Sequence, residues 1–149
     1  MSPILRNILA VIAGLIIGGL VNSGIIMLSS YLIPPPEGVD PNDIESIKAN
    51  VELYDVKHFV LPFLAHALGT LAGAFTAVKI GISRHKTLAY IIAGLFMIGG
   101  LIMAILLPEF YLFSIIDLSL AYFPMAVLGW SWAGKGLGSD NSTTFTQLD

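Results

Sequence analysis

The apolar positions of this chain fall into four long runs, at residues 7–36, 58–78, 87–108 and 110–134. None of the runs contains a Lys, Arg or Glu, and only the last contains an Asp. A helix needs about 20 apolar residues to cross the hydrocarbon core of a bilayer, and every run meets that length. A helix also satisfies its own backbone hydrogen bonds in lipid. The pattern therefore predicts an all-α integral membrane protein, a bundle of four transmembrane helices.

Residues that start or stop helices set the boundaries of these spans. The predicted spans are about 3–32, 56–80, 85–107 and 110–134. The first stops before the prolines at 34–36, which cannot continue a helix, and Pro124 is expected to kink the fourth. A cleavable signal peptide at 1–30 is a weaker interpretation, because the apolar stretch is longer than usual and lacks a clear A-x-A site. Residues 1–135 are therefore treated as one four-helix membrane domain.

The connection at 33–55 is long enough to hold structure of its own. Asp40 followed by Pro41, with Asp43 three positions on, is typical of a helix start: a capping side chain, a first-turn proline and a first-turn acid. The apolar residues that follow recur at helical spacing, and they are Ile44, Ile47, Val51 and Tyr54. We therefore predict a short amphipathic helix in the first external loop.

Basic residues indicate which side of the membrane each end of the bundle faces. Five of the seven lie outside the segment 37–57 between the first two runs, all on one side of the predicted bundle: Arg6, Lys79, Arg84, Lys86 and Lys135. The loop itself is mainly acidic. Because cytoplasmic segments carry the excess of Lys and Arg, we predict that both termini are cytoplasmic. The predicted location is a bacterial-type plasma (inner) membrane.

Composition and motifs narrow the function classes. The chain is 56% hydrophobic and 11% charged, with a mean hydropathy of +0.84, which argues against a soluble domain. Its lack of cysteine excludes disulfides and thiolate metal sites. No H-E-x-x-H, G-x-S-x-G or phosphate-loop motif supports an enzyme, and no basic stripe supports nucleic-acid binding. No cofactor is predicted, and residues 136–149 are expected to form a disordered polar tail.

Small residues repeat at four-residue spacing in the first two spans. Gly14 and Gly18 form one stripe, and Gly69 and Gly73 continue a second stripe that begins and ends with alanines. The third span contains the pair Gly99 and Gly100. Such stripes let helix backbones approach closely in lipid. We predict that these six glycines pack helices within the bundle, with a homodimer interface as the alternative.

An internal duplication is a further hypothesis. Ala13-Gly14-Leu15 in the first span resembles Ala93-Gly94-Leu95 in the third, and aligning the even-numbered spans places His66 opposite Asp117. Two related hairpins would form the parallel type of repeat that occurs in transporters. The alternative is chance, since Gly, Ala and Leu are frequent throughout this chain.

Three polar residues form the candidate site of the predicted bundle. Counted from the outer end of each helix at about 1.5 Å per residue, Asp117, His66 and Asn22 lie about 12, 14 and 15 Å deep. An ionised Asp at the centre of a membrane helix costs about 2.5–3.5 kcal/mol on insertion scales, so it needs a partner or a proton. His66 and Asp117 could share a proton. In a simple up-down bundle their helices stand at diagonal corners, where water or Asn22 could bridge them.

Two hypotheses for function follow from these residues. One is a small transport or permeation protein whose polar cluster lines a cavity open to the outside; in one form of this hypothesis, transport is coupled to proton movement. The other is a non-catalytic structural or assembly subunit of a larger membrane complex, whose polar cluster specifies the fold. The predicted partners are the lipid bilayer and either further copies of this chain or other membrane subunits.

Overall fold

The structure, a computed structural model, describes residues 2–135. The predicted disordered tail at 136–149 lies outside the described residues. The helices are α1 (Pro3–Leu32), α2 (Ile44–Ala49), α3 (Lys57–Ile80), α4 (His85–Leu106), α5 (Tyr111–Leu120) and α6 (Phe123–Lys135), with short 3-10 turns at Val51–Leu53 and Pro108–Phe110. No strand occurs between residues 2 and 135, so the all-α prediction is confirmed for this part of the chain.

Four helical segments are long and apolar enough to cross a membrane. They are Pro3–Leu32, Lys57–Ile80, His85–Leu106 and Pro108–Gly134. Their outward faces carry large apolar side chains, including Ile16 and Leu20 on α1, Ile105 on α4 and Leu112 on α5. Soluble monomers rarely expose continuous apolar surface of this extent. The four apolar helices of the described residues therefore suggest a multi-pass membrane protein.

The helix α3 is the centre of the bundle. It packs along α1, α4 and α6, whereas α1 and α6 scarcely touch. The simple square arrangement, with the second and fourth spans at diagonal corners, is wrong for this reason. Small residues on two different faces of α3 allow it: Gly73 faces α1, and Ala74 lies against Gly129 of α6. A helix that is narrow on two faces can admit neighbours closely on both.

The contact between α1 and α3 is a backbone-to-backbone contact at two levels. A Cβ added at Gly14 would lie 2.6 Å from the carbonyl oxygen of Gly73, and one added at Gly18 would lie 2.6 Å from that of Gly69. In the reverse direction, a Cβ added at Gly73 would lie 2.8 Å from the carbonyl oxygen of Gly14, and one added at Gly69 would lie 2.9 Å from that of Gly18. These four glycines therefore hold the two antiparallel helices in register, because no larger side chain fits between them.

The fourth span is interrupted where the sequence predicts a kink. Helix α5 ends at Leu120, and α6 begins at Phe123. Pro124 has no N–H to donate to the carbonyl of Leu120, so the hydrogen bond that would continue α5 into α6 is missing there. The interruption therefore precedes the proline, at Ala121 and Tyr122.

The segment between α1 and α3 differs in detail from the predicted helix start. Helix α2 begins at Ile44, and its capping residue is Asp43, whose Oδ1 accepts a hydrogen bond from the Glu45 N–H at 3.1 Å. The side chain of Asp40 instead accepts from the Asn42 N–H at 2.9 Å. This local turn occupies the carboxylate that was expected to cap the helix, so the start moves by three residues.

The end of the bundle opposite this segment is tied by polar side chains of α1. Arg6 Nε donates to the carbonyl of Ile80 at 3.1 Å, and Asn7 Nδ2 donates to Ser83 Oγ at 3.0 Å. Asn7 Oδ1 also accepts from the Ile82 N–H at 3.1 Å. The α3–α4 turn is therefore held against the start of α1. We call this end the terminal end and the end that carries residues 33–55 the loop end.

Candidate functional site

His66 on α3 and Asp117 on α5 are directly hydrogen-bonded. His66 Nδ1 lies 2.9 Å from both Oδ1 and Oδ2 of Asp117. Asp117 is only 3% exposed, while the His66 side chain is 24% exposed. The direct bond corrects the expectation of a bridge by water or Asn22, because the central position of α3 places it beside the fourth span and not across a diagonal.

Tyr122 is the third member of this site, and the sequence analysis missed it. Its hydroxyl donates to Asp117 Oδ2 at 2.8 Å, and its ring stacks on that of His66 with centroids 5.9 Å apart. In a continuous helix, residues five positions apart do not face each other closely. The interruption before Pro124 lets Tyr122 turn back to the carboxylate. In the sequence, Tyr122 could have been recognised as a member of the site by its position between Asp117 and the helix-breaking Pro124.

Gly100 on α4 makes room for Tyr122. A Cβ added at Gly100 would overlap the Tyr122 hydroxyl and lie 2.8 Å from its Cζ. Gly99, predicted to pack in the same way, has no atom within 4 Å of an added Cβ in the described part of the chain. One residue along a helix is a rotation of about 100°, so only one glycine of the pair can face α5.

Asn22 stays apart from the pair. Its Cβ lies 3.0 Å from a Cβ added at Gly69, so it continues the close contact between α1 and α3. Within residues 2–135 it forms no hydrogen bond to His66 or Asp117. The structure thus brings together two of the three residues predicted for the polar cluster, and their role as a proton or solute site stays a prediction.

A cavity of about 330 Å³ leads from the loop end to this site. Its walls come from α1, α3, α4 and α5, and residues of the 33–55 segment such as Pro41 and Ile47 cover it. The deepest lining residues are His66, Gly100 and Asp117. The cavity therefore has the hydrogen-bonded pair as its floor. Its volume lies at the lower end of the range of small-molecule sites.

Aromatic rings surround the upper part of the cavity. Phe59 lies 4.9 Å from Phe110 and 5.0 Å from Phe113, measured between ring centroids, and Tyr54 lies 5.3 Å from Phe110. All four rings line the cavity. Burial raises the pKa of the Tyr54 hydroxyl above its ordinary value, so this residue is neutral at physiological pH. We call Tyr54, Phe59, Phe110 and Phe113 the aromatic wall.

The charges available in the cavity are few. Its lining includes the carboxylate of Asp117 and two histidines, His58 near the loop end and His66 at the floor, but no Lys or Arg. Among the described residues, no group of three or more His, Cys, Asp and Glu side chains could hold a metal ion. A ligand in this cavity therefore meets one carboxylate, one imidazole beside it and otherwise mainly apolar or aromatic surface.

The geometry of the pair favours proton exchange at His66. Two donors, Tyr122 O–H and His66 Nδ1–H, point at the carboxylate of Asp117, which fits its ionised form. With Nδ1 committed in this way, a neutral His66 presents Nε2 as an acceptor, and a protonated His66 presents it as a donor. The same pairing orients histidine bases in other proteins.

No known family matches this chain, and no curated protein or solved structure resembles it significantly. Its function therefore has to be argued from the site itself.

Proposed function

We propose that this chain is a small proton-linked transport or permeation protein of a bacterial-type plasma membrane. In this proposal the four apolar segments span the bilayer, and both termini are cytoplasmic. A solute enters from the outer side at the loop end, and the His66–Asp117 pair binds it and exchanges a proton. The single observation that carries the proposal is a cavity whose floor is a buried carboxylate hydrogen-bonded to a partly exposed histidine.

Ionisable residues inside membrane segments mark ion, proton or substrate pathways more often than they mark packing. Here the pair combines a nearly fully buried carboxylate with a histidine that is partly exposed to the cavity. A solute that reaches the floor of the cavity therefore meets an imidazole, a side chain that can both accept and donate a proton. This combination is what a proton-linked carrier requires.

The packing below the site supports alternating access to the cavity. On the terminal side of His66, α1 and α3 are in backbone contact at Gly14 and Gly73. The cavity therefore lies on the loop-end side of this contact, and in this proposal release on the other side requires the helices to separate. The break between α5 and α6 offers a hinge for this movement, because discontinuous helices often form the binding sites of transporters.

The test is flux in proteoliposomes with Asp117→Asn, using Ser119→Ala as the matched control. Ser119 lies on α5, and among residues 2–135 its hydroxyl donates a hydrogen bond to the Ile115 carbonyl of its own helix. Proton movement driven by gradients of a solute panel is measured together with thermal stability. The proposal predicts flux in wild type and control and a loss of more than about tenfold in Asp117→Asn, since burial of the pair makes its charge hard to replace. Absence of wild-type flux for every solute would refute it.

The proposed topology is testable separately, because the chain contains no cysteine. Single cysteines at Asn42 and Lys86 are treated with a membrane-impermeant maleimide on intact cells. Labelling at Asn42 and protection at Lys86 are expected, because positively charged segments stay cytoplasmic. The opposite pattern would reverse the orientation.

A structural or assembly role is the second candidate, and one observation favours it. In the portion of the chain that is described, every buried side-chain polar atom has a hydrogen-bond partner. A fully satisfied buried cluster can specify a fold without any transport. Loss of stability in Asp117→Asn, together with no flux in the wild type, would support this role.

A further inference from the structure

The residues that line the cavity indicate the charge of its ligand, and this inference rests on the function proposed above. We propose that the ligand is a small lipophilic organic cation, an apolar body bearing one ammonium-type charge, and that it binds in exchange for the proton on His66. The cation lies against the aromatic wall and the His66 ring, with the Asp117 carboxylate behind the ring.

The sign of the charge follows from the lining. Asp117 is the acid in the cavity, and no Lys or Arg among the lining residues could neutralise an anionic ligand. Both hydrogen-bond donors at the floor, His66 Nδ1 and Tyr122 O–H, already point at this carboxylate. An anion would therefore meet a fixed negative charge without a compensating cation, and the desolvation of such a charge is costly.

The lipophilic body follows from the walls. Around the space above the floor, Phe59 packs edge to face with Phe110 and in a tilted arrangement with Phe113, and Tyr54 joins them from the covering segment. Aromatic faces attract cations within about 6 Å of their centroids and do so more strongly when water is excluded. A hydrated metal ion gains little from such walls, whereas an aromatic or alkyl ammonium ion gains both apolar burial and cation–π attraction.

The exchange follows from charge balance. With His66 protonated and Asp117 ionised the pair is neutral, and a bound cation would leave an uncompensated positive charge. When His66 releases its proton to water, the cation takes over the neutralisation of Asp117. The titratable groups that line the cavity or contact His66 are Asp117, Tyr122, His58 and Tyr54. Of these, His58 is the second imidazole, so it needs a control of its own.

The experiment measures equilibrium binding of radiolabelled phenyltrimethylammonium to the purified full chain in detergent. This cation has a permanent charge, so the pH dependence comes from the protein alone. Unlabelled tert-butylbenzene, which has the same shape without charge, and benzenesulfonate, an anion of similar size, serve as competitors. We expect only unlabelled cation to compete well, with an affinity that rises as pH increases and release of about one proton per bound cation.

Variants locate the effect. Asp117→Asn is expected to weaken cation binding by at least about tenfold, since a charge within a few ångströms is lost in a shielded site. His66→Gln should bind the cation with little pH dependence, whereas His58→Gln should keep the wild-type pH dependence. Ser119→Ala should match the wild type. If Asp117→Asn does not fold, the comparison of cation and neutral competitor on the wild type still decides the question.

Two results would overturn the inference: tert-butylbenzene that competes as well as the cation, or cation binding unchanged in folded Asp117→Asn. Failure of the proposed function is a different result. Cation binding without any flux would leave this inference standing and remove transport, whereas flux of other solutes without cation binding would remove only the inference.

Discussion

Replacing Gly100 by alanine is predicted to separate Tyr122 from Asp117. The added Cβ would overlap the Tyr122 hydroxyl and lie 2.8 Å from Cζ and 3.2 Å from Cε2. Tyr122 is 1% exposed, and its ring is stacked on His66, so the ring cannot simply turn away. The hydroxyl must therefore leave the carboxylate, or α4 must move outward.

Three contributions determine how much Gly100→Ala lowers the free energy of unfolding. Overpacking costs about 1–3 kcal/mol, and a hydrogen bond within a membrane bundle contributes about 0.6–1.7 kcal/mol. Alanine regains up to about 1 kcal/mol over glycine in a helix interior. We therefore expect Gly100→Ala to lower the free energy of unfolding by roughly 1–4 kcal/mol. Gly99→Ala is the matched control, because its Cβ meets no atom within 4 Å, and it should be neutral or slightly stabilising.

The assay is equilibrium unfolding in mixed micelles of wild type, Gly99→Ala and Gly100→Ala, repeated in a Tyr122→Phe background. Without the hydroxyl the closest overlap disappears, so Gly100→Ala should cost less in that background than in the wild type. Equal effects of the two glycine substitutions would refute the reasoning. So would a cost of Gly100→Ala that does not depend on the hydroxyl of Tyr122.

Other contacts of the bundle give two further predictions. Gly18→Ala would place a Cβ 2.6 Å from a carbonyl oxygen of α3 and should destabilise the protein by about 1–3 kcal/mol, measured as a lower unfolding temperature. The control Gly19→Ala adds a Cβ in open space and should have little effect. Equal shifts of the unfolding temperature in the two variants would contradict the close packing at Gly18. Asn7→Ala removes the two side-chain hydrogen bonds that hold the α3–α4 turn and should speed trypsin cleavage after Arg84 in detergent, whereas an unchanged cleavage rate would show that the turn does not depend on them.

The four apolar helices were predictable because the signal is local. Length and composition within each run decide whether a helix can span a bilayer, and the structure contains four such helices. The spacing of Gly14, Gly18, Gly69 and Gly73 also predicted close helix contacts, although it did not indicate which helices touch. The similar depth of His66 and Asp117 came from the constant rise of a helix, and the structure places their side chains in contact.

What the sequence could not supply is the rotation and neighbourhood of each helix. Depth fixed the level of Asn22 but not its direction, and it packs on Gly69 instead of joining the pair. The identical neighbours Gly99 and Gly100 face different surroundings for the same reason. Tyr122 became part of the site only because the helix breaks before Pro124. The proline indicates such a break in the sequence, but the direction in which the break turns the Tyr122 side chain can be seen only in the structure.

The central claim is that His66 and Asp117 exchange a proton for a bound solute, and that they do more than hold helices together. Proton-linked flux of the double variant His66→Gln/Asp117→Asn, measured beside its stability, tests this most directly. Two amides can restore a neutral hydrogen bond between α3 and α5, while neither can carry a proton at physiological pH. The account predicts a folded protein of near wild-type stability without flux. Flux in this double variant equal to that of the wild type would contradict it.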